Sequence, residues 1–561
     1  MVTFLRAASL ILVALDAHAA AGELATAERG IIATGHPLAT RAGLEAMKRG
    51  GNAVDAAVAA GLMLGVVDGS NSGIGGGCFI LLRTPAGEYV AIDGRETAPQ
   101  AATRDMFLRD GTADTRLSQV GALASGTPGA LAAYELAARR YGKLPLSPAL
   151  LAAAEVAAGG FEVGERYAER VSGAAEDFRQ FPASRALFLK TDGSPLQKGD
   201  TLVQPDLAAT YRHIAENGIA WFYSGPFAER VGKWMGENGG LLAADDFKNY
   251  HPTLREPVRS TYRDAEVISF PPPSSGGVHV LQLLNILEQF DLKKLGDRSA
   301  DTIHVVTEAM RLAFADRAHW LGDPAFTPVP RGLVSKEYGR LLAETIRMEK
   351  AAASPTHGTP PQATEDVFGK HTTHFSAADA DGNWVACTAT INTSFGSKVV
   401  VPGTGVVLNN EMDDFAIQPG VPNAFGLVGG EANAVAPGKR PLSSMSPTIV
   451  TKDGEPILAV GAAGGPTIIS QTLLAIIDTV DFEREVHTAL AAPRFHHQWR
   501  PEELKIEQAL GDVLLEALRA RGHALAPVKA FGACHAVARA WGQKTFTGAA
   551  DPRTGGEAAG W

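Results

Sequence analysis

Cysteine is scarce in this 561-residue chain, which carries Cys78, Cys387 and Cys534 and no others. An odd count leaves at least one thiol unpaired, so a disulfide framework does not hold the fold. Long apolar runs are missing too: beyond the N-terminus nothing reaches the roughly 18 uninterrupted apolar residues that span a bilayer. Positive charge is in deficit, with 51 Lys and Arg against 61 Asp and Glu and a formal charge of −10. Without a basic run, a phosphate-backbone partner is excluded, and no nucleic-acid role is expected. HExxH, GxxxxGK[ST] and CxxC are absent from the sequence, so neither a metal nor a cofactor is expected. His496 and His497 adjoin, but neighbouring strand side chains point to opposite faces and do not share a ligand. The glycine cluster GIGGGCFILL, residues 73 to 82, fails GxGxxG because position 78 is Cys, and a helical pattern stands where a dinucleotide fold needs a strand.

What the chain does have is ordinary globular texture, 45% hydrophobic and 20% charged. Arg6, an apolar run over residues 7 to 15 and Ala17-His18-Ala19 read as a signal peptide, residues 1–19, and predict export to the periplasm or the extracellular space. Residues 37 to 67 read as two helices broken at Gly50-Gly51-Asn52. From about 125 to 350 apolar residues recur at helical spacing in segments such as SPALLAAAEVAAGG and TIHVVTEAMRLAFADRAHWL. Residues 351 to 364, AAASPTHGTPPQAT, lose that period and read as a surface segment. Strands follow in THFSAA, WVACTATIN, VVVP and GVVLNN. Residues 413 to 447 form a proline-rich irregular stretch, of a length that is usually functional or disordered. Strand and helix then alternate through PILAVGAAGG, TIISQTLLAIID and GDVLLEALRARG, which adds to an α/β reading.

A threonine hydroxyl becomes a nucleophile when a base sits beside it, and an N-terminal threonine brings its own α-amine, with a pKa of about 8. Such a residue has to be exposed by cutting the chain. His371-Thr372-Thr373-His374 stands where the proline-rich surface segment runs into a strand. Read locally, Thr372 is better taken as an ordinary residue at an exposed strand edge, since Thr is common in strands. The next strand supplies a geometric condition: Trp384, Ala386, Thr388, Thr390 and Asn392 share one face by period-two alternation. An odd-length loop through Asp381-Gly382 sets Thr372 opposite Thr390, whereas a two-residue loop reverses the faces. The odd loop is the expected one, with the Thr390 hydroxyl orienting that of Thr372.

GGNAVDAAVA (50 to 59), DGRETAP (93 to 99), PPPSSGGVHVLQ (271 to 282), ADRAHWLGDP (315 to 324), TTHFS (372 to 376), TINTSFGS (390 to 397), LNNEMDDF (408 to 415), KRPLSSMSPT (439 to 448), APRFHHQW (492 to 499) and DPRTGG (551 to 556) together resemble the γ-glutamyltranspeptidases, or glutathione hydrolases. The resemblance covers nearly the whole mature chain. It implies a four-layer αββα sandwich of the N-terminal nucleophile hydrolase type, an α/β (α+β) fold formed jointly by both chains of a cleaved precursor. The expected products are a large chain, 20–371, and a small chain, 372–561, which stay together as a heterodimer. Thr372 matches the nucleophile that first cuts the His371-Thr372 bond and then attacks the substrate's γ-carbonyl. Gly464 and Gly465 match the oxyanion-stabilising position. Arg95, Ser443 and Ser444 match the residues that bind the α-carboxylate, while Asn392, Glu411 and Asp414 match the acceptors for the α-ammonium. Glutathione and related γ-glutamyl compounds are the implied substrates, with water, an amino acid or a dipeptide as acceptor.

The chain departs from the family at DGSNS, before the glycine cluster, where many relatives have a His-Pro stretch. A second departure is Phe425, in a lid over residues 419 to 430, where bacterial relatives often carry Tyr; Phe covers a site but donates no hydrogen bond. Two other functions compete with the γ-glutamyl reading. A cephalosporin or glutaryl acylase of the same superfamily uses the same nucleophile but has no α-ammonium to engage Glu411 and Asp414. A non-catalytic exported binding protein would need none of Thr372, Thr390, Gly464 and Gly465.

Overall fold

The computed structural model describes residues 21–361 and 374–561. The signal peptide, His371 and Thr372 therefore lie outside the described residues. Two large antiparallel sheets form the centre. The first has eight strands, in the order Ala21–Gly22, Glu557–Gly560, Gly30–Thr34, His374–Asp379, Trp384–Thr390, Gly77–Arg83, Tyr89–Gly94 and Thr253–Arg255. The second has seven, running from Val258–Tyr262 through Ala265–Ser269, Thr448–Lys452, Glu455–Ala463, Ala533–Arg539 and Phe546–Ala549 to Leu24–Ala27. Segments from both sides of the 371/372 position are interleaved in each sheet. Neither side could bury its half of the core alone.

The sheets pack face to face through Ile31, Phe79, Leu81, Ile268, Phe270, Trp384 and Val537. Phe79 and Phe270 stack across the seam with ring centroids 4.2 Å apart. Helices cover both outer faces, giving the four layers expected from the resemblance. On the first sheet lies Ala53–Val67, buried along its whole length. Asn52 caps it in a reciprocal box with Asp55, and Gly50, at φ +93°, makes the break from the preceding helix Pro37–Lys48. On the second sheet lie Ser275–Leu287, Ala300–Trp320 and Thr467–Val480, which share one apolar cluster.

The hairpin takes the odd-loop register. His374 lies opposite Thr388, Phe375 opposite Cys387 and Ala378 opposite Trp384. The expected strands at VVVP and GVVLNN do not form; an isolated Val400↔Val407 bridge stands in their place. Their valines fill the apolar cluster beside the first sheet, so this run is hydrophobic because it is core, in a looped backbone. All three cysteines are free and buried.

Candidate functional site

The Trp384–Thr390 strand ends against the glycine cluster, and the contact explains why those residues have no side chains. A Cβ on Gly76 would stand 1.8 Å from the Thr390 carbonyl oxygen, and one on Gly77 2.3 Å from Glu96 Oε2. Glycine here permits close backbone approach. Beyond the strand, Asn392 takes φ +75°, its N–H donates to Thr390 Oγ1 at 2.7 Å, and its Nδ2 donates to the Asn410 carbonyl at 2.9 Å. The turn therefore ties the strand end to the segment that carries Glu411 and Asp414.

These two acids meet Arg95 in a cluster with no solvent exposure to speak of. Arg95 Nη1 donates to Glu411 Oε1, Nη2 donates to Asp414 Oδ2 at 2.8 Å, and Glu96 Oε2 lies 3.4 Å from Nη1. One guanidinium faces three carboxyl groups. Burial pushes the Glu411 carboxyl well above its usual range, with Glu96 and Asp414 adding to the rise and Arg95 opposing it, and burial lifts Glu96 to about 7 against the Arg95 charge. Arg95 Nε, Glu96 Oε1 and Glu411 Oε2 are buried without a hydrogen-bond partner among the described residues. These three atoms leave hydrogen-bonding capacity in the cluster for a polar group. Three carboxyl groups share one guanidinium, and an ammonium group is a partner that their remaining oxygens can take.

The backbone of Arg95 is held from behind. Asp93 Oδ1 accepts from Arg95 N at 2.9 Å, and the Arg95 carbonyl accepts from Tyr250 Oη and Arg440 Nη1 at 2.7 and 2.6 Å. The charges of Arg440 and Arg255 hold the Asp93 carboxyl below its usual range despite burial. Glu96, Asp93, Tyr250 and Arg440 were not picked out from sequence. For Glu96 and Asp93 the signal was available in DGRETAP, whose acids flank the chosen arginine.

Ser443 and Ser444 are buried beside the start of the Ser275–Leu287 helix. The Ser443 carbonyl accepts from the amide and the hydroxyl of Ser275, and Ser275 Oγ accepts from Arg317 Nε at 3.0 Å. Burial lowers Arg317 to about 10, offset in part by the charge of Asp414. Arg317 is thus a second buried cation near the cluster, one that its helical spacing had placed among packing residues.

A cleft of about 660 Å³ opens along the edge of the two sheets, and His374, Asn392, Phe425, Gly464 and Gly465 line it. The glycines take φ +129° and +60°. Their carbonyls accept from Thr467 Oγ1 and Ile468 N, turning into the Thr467–Val480 helix. Among the described residues neither Gly464 N–H nor Gly465 N–H donates a hydrogen bond. Two free amides at a helix N-terminus form a seat for negative charge. Phe425 lies over them, since a Cβ on Gly465 would come within 2.7 Å of its ring. The lid is fastened to the acidic segment: Asn423 Nδ2 donates to Asp414 Oδ1 at 3.1 Å, and Ala424 N donates to Asp413 Oδ2 at 2.9 Å. His374 hydrogen-bonds with Thr388 Oγ1 at 3.1 Å and Ser376 Oγ at 2.8 Å, and burial drives it well below its usual pKa.

Of the expected residues, Asn392, Phe425, Gly464 and Gly465 line the open cleft. Arg95, Glu411 and Asp414 meet in the buried cluster, joined to the cleft through Asn392 and the lid. Thr390 stands at the junction. In this state the groups expected to hold a carboxylate and an ammonium hold each other. His496 and His497 do not converge: His496 pairs with Ser470 and Gln498, and His497 accepts from Trp499 N. One cluster with metal-ligand chemistry does occur among the described residues, at His304, Glu308 and His523. Its donor atoms are occupied, His304 by His523 and the Arg347 carbonyl, Glu308 by Arg311 and Ala352 N.

Comparison with known proteins accords with this geometry. A family model described as gamma-glutamyltranspeptidase matches residues 39–561. A glutathione hydrolase proenzyme of Escherichia coli (strain K12) is 45% identical over 531 residues, covering 94% of this chain and 91% of that protein. Acylase ACY 1 proenzyme of Pseudomonas sp. (strain V22) is 40% identical over 507 residues, covering 89% and 88%. The crystal structure of cephalosporin acylase from Bacillus halodurans superposes with a TM-score of 0.84 at 30% identity, over 96% of this chain and 97% of that one.

Proposed function

Because the chain belongs to the gamma-glutamyltranspeptidase family, we propose that Thr372 cuts its own precursor at the His371-Thr372 bond and then carries γ-glutamyl groups. The protein is a γ-glutamyltransferase and glutathione hydrolase made as a proenzyme. The reading is carried by one observation: a buried cluster of three carboxyl groups around one guanidinium is joined, through Asn392 and the lid, to a cleft lined by two free glycine amides. A γ-glutamyl substrate matches both, with its α-ammonium at Glu411 and Asp414 and its reacting carbonyl oxygen at Gly464 and Gly465. On entering, the substrate exchanges its own two charges for the Arg95 pairs, its carboxylate passing to Arg95, Ser443 and Ser444.

In turnover the Thr372 hydroxyl oxygen attacks the γ-carbonyl carbon and its proton passes to the α-amine of Thr372. The two glycine amides hold the oxyanion, an arrangement worth several kcal/mol where water is excluded. Collapse breaks the amide bond, and the leaving nitrogen takes the proton. Water, an amino acid or a dipeptide then attacks the ester and releases the γ-glutamyl group. Thr390 orients the nucleophile, and Phe425 covers the amides. Before this the chain is exported and residues 1–19 are removed, leaving subunits 20–371 and 372–561.

The likeness to two acylases favours a second reading, a glutaryl group as the acyl donor. The surplus of carboxylates opposes it, since glutaryl has no ammonium and leaves the acids unpaired. Denaturing electrophoresis of the purified protein is expected to give chains of about 350 and 190 residues, the lengths set by the two cut sites. N-terminal sequencing should place Thr372 first in the smaller one. Thr372→Ala is expected to stay whole and inactive; a variant that still splits at 371/372 removes Thr372 as nucleophile. Release of p-nitroaniline from γ-glutamyl and glutaryl anilides separates the two donors, with γ-glutamyl expected to be faster.

A further inference from the structure

The cleft continues past the glycine amides to a wall that the acyl-transfer chemistry leaves unused. There the helix Glu165–Phe178 presents Arg166 and Arg170, one turn apart, and both line the cleft with Asp68 and Glu165. The wall is tied closely to the reacting end. Asn71 accepts at its carbonyl from Ile391 N at 3.1 Å, between Thr390 and Asn392, and donates Nδ2 to both Asp68 oxygens at 2.9 Å. Asp68 in turn accepts from Arg170 Nη1 at 3.3 Å, and Ser70 Oγ accepts from the same nitrogen at 2.9 Å.

The charges along this wall do not cancel. Asp68 is taken by Arg170, and Glu165 by Lys198 at 2.8 Å. Arg166 has no carboxylate partner among the described residues; its Nη1 donates to the Arg553 carbonyl at 2.6 Å. Like charges four residues apart on a helix repel one another. Burial and the neighbouring Arg170 charge hold Arg166 below the usual guanidinium range, against the opposing charges of Asp68, Asp551 and Glu169. His36 and His535, which also line the cleft, are kept neutral at pH 7 by burial, His535 at about 4. Arg166 is therefore the guanidinium of this wall that no carboxylate among the described residues holds by a hydrogen bond.

We propose that Arg166, supported by Arg170, binds the C-terminal carboxylate of the leaving group, so that the cleft selects γ-glutamyl peptides with a free carboxylate over γ-glutamyl amides without one. This rests on the γ-glutamyl reading above. The site then has opposite poles. The Arg95 cluster, where three carboxyl groups share one guanidinium, takes the α-ammonium, while Arg166, which no carboxylate among the described residues holds by a hydrogen bond, takes the distal carboxylate. A guanidinium suits the task because it grips a carboxylate with two parallel bonds.

The test compares kcat/KM for glutathione and for its glycine monoethyl ester, which differ only in that carboxylate, in wild type, Arg166→Ala and Arg166→Lys. Wild type is expected to prefer glutathione by about tenfold, the worth of one charge-assisted contact at a partly exposed site, chiefly through KM. Arg166→Ala should bring the ratio close to one, and Arg166→Lys should restore part of it. Equal kcat/KM for the two compounds in wild type overturns the proposal and leaves the γ-glutamyl reading standing. A proportional loss on both substrates in Arg166→Ala overturns it too, by assigning the residue a structural role. Wild type that turns over neither compound overturns the γ-glutamyl reading and this proposal with it.

Discussion

Arg95 shows how much one side chain decides in this molecule. Read locally it could be a surface ion pair, yet it is fully buried and its partners lie 316 and 319 residues further along the chain. No local pattern carries that information, and family resemblance supplied it. Burial also sets the energetics: removing the cation would strand three buried carboxyl groups without the charge they share. Arg95→Lys keeps the charge but loses the fork that holds Glu411 and Asp414 at once. We expect KM for a γ-glutamyl anilide to rise roughly 10- to 100-fold, one charge-assisted hydrogen bond's worth, with kcat changing less. Steady-state kinetics on the processed variant would check this. An unchanged KM would remove Arg95 from substrate binding.

At the scale of elements, the hairpin was legible and the valine-rich run after it was not, for the same physical reason. Period-two alternation survives in WVACTATIN because one face meets the second sheet and the other meets helices, so each residue's character follows its side. Asp381-Gly382 marked the turn but left its length open between a two-residue and an odd loop; the observed register is that of the odd loop. Residues 399 to 408 are apolar because they plug a core from a loop, where composition imitates a strand without its ladder. The glycine cluster was readable as special, but its purpose needed the tertiary contact. Gly76→Ala would press a Cβ into the Thr390 carbonyl, backbone against backbone, with no flexible side chain to give way. The expected cost is about 1–3 kcal/mol of stability, together with slower self-cleavage, because Thr390 shifts with its strand. Thermal melting and the fraction of whole chain on a denaturing gel would report both. Normal processing would show that Thr390 does not need that position.

On the scale of the whole molecule, interleaving of both segments in each sheet means that cutting at 371/372 cannot release a folded half. What holds the halves together is a core that also buries polar groups, and pH tests it. His279, His496, His497, His523 and His535 are buried, and burial lowers them from 6.5 to between about 3 and about 4. The unfolded chain takes up these protons as pH falls through 6.5, whereas the folded protein resists until about 4. Stability owed to these neutral histidines is full above 6.5 and drains away in that window. Buried acids act the other way: Glu96 at about 7 and Asp413 at about 6 bind protons first in the folded state, which favours folding as pH falls toward the ordinary carboxylate range. Glu411, Asp316, Asp379, Asp478 and Glu557 are raised as well, while His36, His319 and His374 are lowered beside the five and the buried Asp93 and Asp551 are lowered too, so we expect the unfolded state to be the net proton acceptor; a tenfold difference in proton affinity at one group is worth about 1.4 kcal/mol. The melting temperature of the mature heterodimer is therefore expected to hold steady from pH 8 to 6.5 and to fall progressively from 6.5 to 4. Calorimetric scans at half-unit steps would read it, and a melting temperature that stayed level or rose between pH 6.5 and 5 would mean that the acids, and not the histidines, set the balance.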